Sequence, residues 1–393
     1  MRRLEAGEDR AKVRDELDVT PAIIDANIDV QPGETFVVMG LSGSGKSTLI
    51  RMFNGLLEPT AGKVFLDDRE LTSLDDNDLR LVRQRTVSMV FQHFALFPHR
   101  TVLDNAGYAL EVRKVAKHER LEKAQHALDM VGLSGWEKSL PAQLSGGMRQ
   151  RVGLARALAA ETDVLLMDEA FSALDPLIRR EMQDQLLELQ RSLHKTIVFI
   201  THDLNEAMKL GNRIAVLRDG AIVQIGTATD ILNTPADDYV AQFVHDVDRT
   251  RVLTAGAVMD DPAVTVGLDT SPQQVLQSLR RHRVDAAFVL GDEHRLLGAV
   301  LEDEVDDAAH RGERTLERLV HSDIYRTDRD TVIAELFVPA SERRLPIAVV
   351  DDARLLGVIS HGMLLAALSG AGADSTGSTG PAGQFAAQEA DHG

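Results

Sequence analysis

Cysteine is absent from this 393-residue chain, so neither a disulfide nor a thiolate-held metal can contribute to it. That absence suits a reducing compartment without requiring one. Aromatic residues make up 4%, with a single Trp, and no Phe, Tyr or Trp precedes Phe36. No apolar run approaches the ~18–20 residues that a membrane-spanning helix needs. The opening stretch MRRLEAGEDRAKVRDELDV is charged throughout and lacks the apolar segment of a signal peptide. Positive charge is in deficit as well. The formal net charge is −18, which argues against a general nucleic-acid partner, because phosphate contacts need a basic surface. Lysine stops altogether at Lys209.

What is present is ordinary for a globular chain of two or three domains, 44% hydrophobic and 26% charged. Residues 1–19 read as a short polar helical lead. From Ile23 to about Val247, short apolar runs alternate with helical stretches, the rhythm of an α/β domain. Four runs, at 35–40, 163–169, 196–201 and 213–220, read as buried strands. The helix-rich interval 101–160 carries Leu121, Ala124, Leu128 and Val131 at helical spacing. Beyond it lies an internal repeat, in which Arg295-Leu296-Leu297-Gly298 returns as Arg354-Leu355-Leu356-Gly357. The tail from Gly370, rich in Gly, Ser, Thr and Ala, reads as disordered. The expected domains are residues 1–247, two repeats at 251–310 and 311–369, and the tail 370–393.

The segment GLSGSGKST, 40–48, fits G-x-x-x-x-G-K-[ST] between an apolar strand and a helical run. Gly40, Gly43 and Gly45 allow the backbone to curl. The N–H groups around Ser42, Ser44 and Thr48 can then face phosphates at a helix N-terminus. Lys46 is expected to reach the β- and γ-phosphates of ATP, and Ser47 to offer its hydroxyl to Mg²⁺. Downstream, the apolar run 165–167 ends in Asp168 and Glu169. Asp168 is expected to hold Mg²⁺, and Glu169 to orient or deprotonate the attacking water. Ser145, Gly146 and Gly147, in LSGGM, open a helix and make a second anion site. Each motif has a bland counterpart: a flexible turn, a solvated strand end, a capped helix. The order and spacing of all three together disfavour those readings.

Leu144-Ser145-Gly146-Gly147-Met148, just upstream of the acidic strand, resembles the signature of the ABC ATPases. That resemblance implies a P-loop α/β fold with a helical subdomain. It also implies a head-to-tail homodimer that sandwiches two ATPs between phosphate loop and signature. Three further segments resemble the remaining family elements. Gln92 matches the loop that senses Mg²⁺ and γ-phosphate, Asp175 in SALDP lies near the dimer interface, and His202 in FITHD contacts the γ-phosphate. One departure is the missing aromatic that stacks on adenine in this family. The chain begins as if inside a helical insertion that follows the family's first strand, and we read it as N-terminally truncated, the alternative being that other contacts hold adenine.

Finer features are similar to the glycine betaine/proline betaine group, among them VMGLSGSGKSTLIR, FALFPHRTVLDN and MDEAFSALDPLIRREMQDQL. Many members of that group carry a tandem pair of CBS domains, which the α+β repeat resembles. The resemblance implies an ATPase subunit of an importer, peripheral on the cytoplasmic face of the membrane. Its partners would be integral-membrane permease subunits and an extracytoplasmic substrate-binding protein. Alternatives are an importer of a different small solute and a soluble, non-transport ABC ATPase. In the repeats, Leu301 and Met363 stand where nucleotide-binding CBS pairs place a hydroxyl and an acid, which disfavours nucleotide binding in that pattern and leaves a regulatory or a structural, dimerising role. Arg280, Arg281 and Arg283, with Arg343 and Arg344, form a candidate basic patch for an ionic-strength response at anionic lipid, opposed by the acids of 301–307.

Overall fold

The computed structural model describes residues 16, 18–92, 95–245 and 248–369. The expected helical lead lies almost wholly, and the expected disordered tail wholly, outside these residues. The chain divides into two compact units, Met1–Asp248 and Arg249–Gly393.

In the first unit, strand β1 (Thr35–Met39) leads through the phosphate loop into helix α1 (Lys46–Phe53). A small antiparallel hairpin follows, β2 (Phe65–Leu66) and β3 (Arg69–Glu70), then α2 (Asp76–Arg85) and β4 (Val87–Val90). The helical interval comprises α3 (Val102–Ala106), α4 (Tyr108–Val112), α5 (Lys117–Met130) and α6 (Gly146–Ala159). The chain then alternates through β5 (Val164–Asp168), α7 (Pro176–Leu193), β6 (Thr196–Thr201), α8 (Leu204–Leu210) and β7 (Arg213–Arg218). It closes with β8 (Ala221–Gly226), α9 (Ala228–Asn233) and α10 (Asp238–Val244).

Six strands form one sheet in the order β4-β5-β6-β1-β7-β8. Neighbours run parallel except at the β7–β8 edge. Strands buried on both faces read as continuous apolar runs, and β1, with all five residues buried, is the clearest case. One face packs Phe36, Val38, Leu166, Val198 and Ile200 against Leu49 and Ile50 of α1. That contact fixes the helix, and with it the loop that precedes it. Because β1, β5 and β6 are adjacent and parallel, their C-terminal ends place Gly40, Asp168 and Thr201 along one edge, where α/β sheets form their sites. Of the periodic positions, Ala124 and Leu128 of α5 and Val131 just beyond it are buried, while Leu121 is half-buried.

The second unit contains two three-stranded sheets. The first holds β9 (Thr265–Val266), β10 (Ala286–Leu290) and β11 (Leu296–Leu301), the second β12 (Arg326–Thr327), β13 (Ile347–Asp351) and β14 (Arg354–Ile359). In each, a short strand pairs in parallel with the first arm of an antiparallel hairpin. Both hairpins shift register at matching places, after Val289 and after Val349, so the sequence repeat extends to an irregularity of the backbone. Arg295 and Arg354 meet in an antiparallel bridge that joins the two copies.

Three arginines of the expected basic patch are ion-paired at the surface. Arg280 reaches Glu302 at 3.4 Å and Asp306 at 2.9 Å, Arg343 reaches Asp323 at 3.2 Å, and Arg344 reaches Asp303 at 3.6 Å. Glu302 and Asp306, among the acids that oppose the patch, lie beside the arginine-bearing helix (Pro272–His282) and engage Arg280.

Candidate active site

The turn from β1 into α1 is built around positions where a side chain would collide. A Cβ on Gly40 would lie 2.1 Å from the Leu217 carbonyl oxygen, and one on Gly45 would lie 2.3 Å from that of Ala22. Gly45 also sits at φ +105°, a region open mainly to glycine. These constraints curl residues 40–48 around Lys46, which is 4% exposed. Its ammonium donates to the Gly40 carbonyl at 2.9 Å and the Leu41 carbonyl at 3.0 Å. Two of its three donors are thereby used to anchor the loop, and one remains for an anion. Burial pulls the Lys46 pKa down, opposed by the nearby charges of Glu169 and Asp168. The Ser44 hydroxyl is buried and has no hydrogen-bond partner in the protein. An orphaned hydroxyl and a desolvated ammonium in a glycine-curled loop at a helix N-terminus fit a polyphosphate.

Ser47 and Asp168 converge although 121 residues apart, the Ser47 hydroxyl donating to Asp168 Oδ1 at 2.9 Å. Arg51 approaches the other carboxylate oxygen at 3.9 Å. A hydroxyl and a buried carboxylate side by side are the oxygen donors that suit Mg²⁺.

Glu169 follows at φ +45°, a left-handed conformation that is strained for a residue with a side chain. Its backbone N–H donates to the Ile200 carbonyl at 3.1 Å. Its Oε2 receives the Gln92 amide at 3.3 Å and meets His202 Nδ1 at 3.2 Å. Gln92, Glu169 and His202, drawn from three separate loops, are thus brought together.

The signature residues lie apart from this cluster. Ser145 caps α6 by accepting from the Met148 N–H at 3.3 Å. Gly147 is packed so tightly on α7 that a Cβ would lie 2.5 Å from Ile178 Cγ2, whereas a Cβ on Gly146 would meet nothing within 4 Å. Asp175 caps α7, accepting from the Ile178 N–H at 3.2 Å. Among the described residues no hydrogen bond joins Ser145, Gly146, Gly147 or Asp175 to the phosphate loop.

Three members of the cluster carry no signal in the sequence. Ser172 accepts from Gln92 at 3.2 Å and donates to the Glu169 carbonyl at 2.9 Å. Arg179, on α7, and Asp203, after β6, pair at 3.4 Å.

The ABC transporter family profile matches residues 23–172, and the CBS domain profile matches residues 255–311. The glycine betaine/carnitine transport ATP-binding protein GbuA of Listeria monocytogenes is 47% identical, over 93% of this chain and 92% of its own length. The chain belongs to this family of ABC transporter ATP-binding proteins. Two more of its relatives are the glycine betaine transport ATP-binding protein OpuAA of Bacillus subtilis and the glycine betaine/proline betaine transport system ATP-binding protein ProV of Escherichia coli. OpuAA is 48% identical over 89% of this chain and 84% of its own length, and ProV 42% identical over 95% and 94%. Among solved structures, cbiO1 of Clostridium perfringens, part of the ABC transporter complex cbiONQ, is 26% identical with a TM-score of 0.52. The match covers 60% of this chain and 92% of cbiO1. As a member of the family this ABC ATPase binds nucleotide and serves a transport system. No helix among its described residues is long and apolar enough to cross a membrane.

Proposed function

We propose that this ABC ATPase hydrolyses MgATP to drive uptake of a betaine-type compatible solute. It would act as a pair of identical subunits on the cytoplasmic face of the membrane. The observation that carries the hydrolytic reading is the convergence of Gln92 and His202 on one oxygen of Glu169, beside the Ser47–Asp168 pair. The substrate class rests on the relatives' names, three of which specify glycine betaine.

Lys46 and the N–H groups of residues 40–48 hold the β- and γ-phosphates. Ser47, Asp168 and Gln92 would hold Mg²⁺, which would supply positive charge to the phosphoryl oxygens. Glu169 accepts a proton from water, whose oxygen bonds to the γ-phosphorus as the bond to the β–γ bridging oxygen breaks, giving ADP and phosphate. His202 keeps the Glu169 carboxylate aimed and contacts the γ-phosphate. Ser145, Gly146 and Gly147, with the unobstructed backbone at Gly146, serve the nucleotide of the second subunit, and Asp175 lies beside that interface. Permease subunits and a substrate-binding protein complete the transporter. Residues 251–310 and 311–369 are read as two CBS repeats with a regulatory or dimerising role. A related small amine is the second reading, because the trimethylamine N-oxide transport system ATP-binding protein TmoW of Ruegeria pomeroyi is 46% identical over 70% of this chain and 82% of its own length.

The test is ATP turnover by the complex reconstituted in vesicles with its permease and binding protein, with glycine betaine added and internal salt raised stepwise. Stimulation by glycine betaine supports the proposal, and its dependence on salt assigns the repeats a sensing role. Turnover that ignores glycine betaine but answers trimethylamine N-oxide moves the substrate to the second reading. No turnover at all overturns the hydrolytic role.

A further inference from the structure

We propose that Arg179 is a positioning residue for hydrolysis, locking the loop that carries Glu169 to the loop that carries His202. The inference rests on the hydrolytic reading of those two residues given above.

The guanidinium makes four hydrogen bonds. Nε donates to the Phe171 carbonyl at 3.3 Å, Nη2 to the Ser172 carbonyl at 3.3 Å and the Leu174 carbonyl at 3.0 Å, and Nη1 to Asp203 Oδ2 at 3.4 Å. Three acceptors are backbone oxygens of the turn just after Glu169. The fourth belongs to the residue after His202. The other Asp203 oxygen is already engaged, accepting from the Asn205 and Glu206 N–H groups at the start of α8. The Asp203 N–H in turn donates to the Thr201 hydroxyl at 2.9 Å. His202 therefore stands between two immobilised neighbours, and one of them is immobilised through Arg179.

The contacts close into a ring. Glu169 meets His202, Asp203 meets Arg179, Arg179 holds Ser172, Ser172 meets Gln92, and Gln92 returns to Glu169. Arg179 is the one member of the ring that comes from within a helix rather than a loop. The first turn of that helix is fixed by the Asp175 cap. A left-handed Glu169 persists only where its surroundings over-determine it, and the three carbonyl bonds of Arg179 supply such determination. Only a planar fork of five donors serves four acceptors in different directions, and lysine, a point charge with three donors, does not.

The test is steady-state MgATP turnover by the full chain in its reconstituted transporter, with a double-mutant cycle between Arg179→Lys and His202→Ala. Arg179→Lys is expected to lower kcat ~10- to 100-fold, because misplacement by about 1 Å has that effect. The KM for ATP and the melting temperature should stay close to wild type. In the His202→Ala background, where residual turnover is read with labelled ATP, the same change should cost less than about twofold, as for residues acting through one another. Should Arg179→Lys fail to fold, Asp203→Asn replaces it, since asparagine keeps the helix cap and loses the charge. An unchanged kcat, or an equal cost with and without His202, overturns the proposal. Wild-type chain without turnover instead removes the hydrolytic reading on which it rests.

Discussion

Within the first unit the buried interior includes Lys46, Asp168, Glu206, Gln150, Asn105 and Gln183, whereas in the second, among the described residues, Thr327 is the one polar side chain buried to that degree. The hydroxyls and amides left without partners, such as those of Ser44 and Gln150, also lie in the first unit. Burying polar groups costs free energy unless something repays them. A polyphosphate and a moving partner loop can do that. The repeats instead keep their charges at the surface, where they pair with each other, and bury Val275, Leu279, Val289, Val300 and Val305. One unit thus holds a strained, polar site on a buried sheet, and the other an apolar core of ordinary kind. Chemistry should be fragile in the first and insensitive to damage in the second.

The largest break in that contrast comes from Glu169→Gln, which keeps shape and removes the base. Turnover of MgATP should fall ~10²–10⁴-fold, with nucleotide binding retained in an equilibrium assay. Next, Lys46→Ala removes a charged donor from a buried loop and leaves the Gly40 and Leu41 carbonyls unpaired. Loss of a charged hydrogen bond is worth roughly 1.5–3 kcal/mol, so affinity for ATP, followed by fluorescent-nucleotide titration, should drop about 10- to 100-fold. The converse probe is Gly298→Ala. Its Cβ would lie 2.4 Å from the His321 carbonyl oxygen and 2.5 Å from Val320 Cγ1. Overpacking of this kind costs about 1–3 kcal/mol, so calorimetry should show the transition of the second unit lowered while MgATP turnover survives. If both fall together, the units are not independent.

The smallest effect concerns Glu206. Burial pushes its carboxyl pKa up, partly offset by hydrogen bonds from Thr201 and Gln183. A carboxyl raised in the folded state keeps its proton where the unfolded chain has lost it. Its contribution is therefore fully present below the ordinary Glu value and is lost as pH rises through the raised one. Glu206→Gln lacks that dependence. The melting temperature of the wild type relative to this variant should be highest in mild acid and decline toward neutral pH. A constant difference would mean that folding leaves the Glu206 pKa where it is in the unfolded chain.

Much of the catalytic edge could be read in advance because its parts are contiguous. Gly40 to Thr48 is a single loop, and Asp168 and Glu169 end a five-residue apolar strand. Both obey local rules of strand, turn and helix. The repeat was legible for the same reason, since its copies share a run of identical residues. Arg179 was not, because nothing in Ile178-Arg179-Arg180 distinguishes the inward arginine from its exposed neighbour. That choice depends on which helix face meets residues 171–174, and only the packed fold decides it. The same holds for Asp203, a plain helix cap in sequence and half of an ion pair in space. The basic patch was legible only in part. Its arginines and the acids of 301–307 were visible, but which of them pair depends on how helices and turns meet, as Arg280 with Asp306 and Arg344 with Asp303 show.

The contact between Gly147 and Ile178 has a mechanical side. The signature helix rests on α7 with no room for even a methyl group between them. The next residue of α7, Arg179, holds the turn that follows Glu169. A push delivered at Gly146 by a second subunit's nucleotide would pass from the signature helix to α7 and, through the Arg179 bonds, to the turn after Glu169. In the pair we propose, each hydrolytic centre would then register whether the other is loaded, as two pans hung from one beam do.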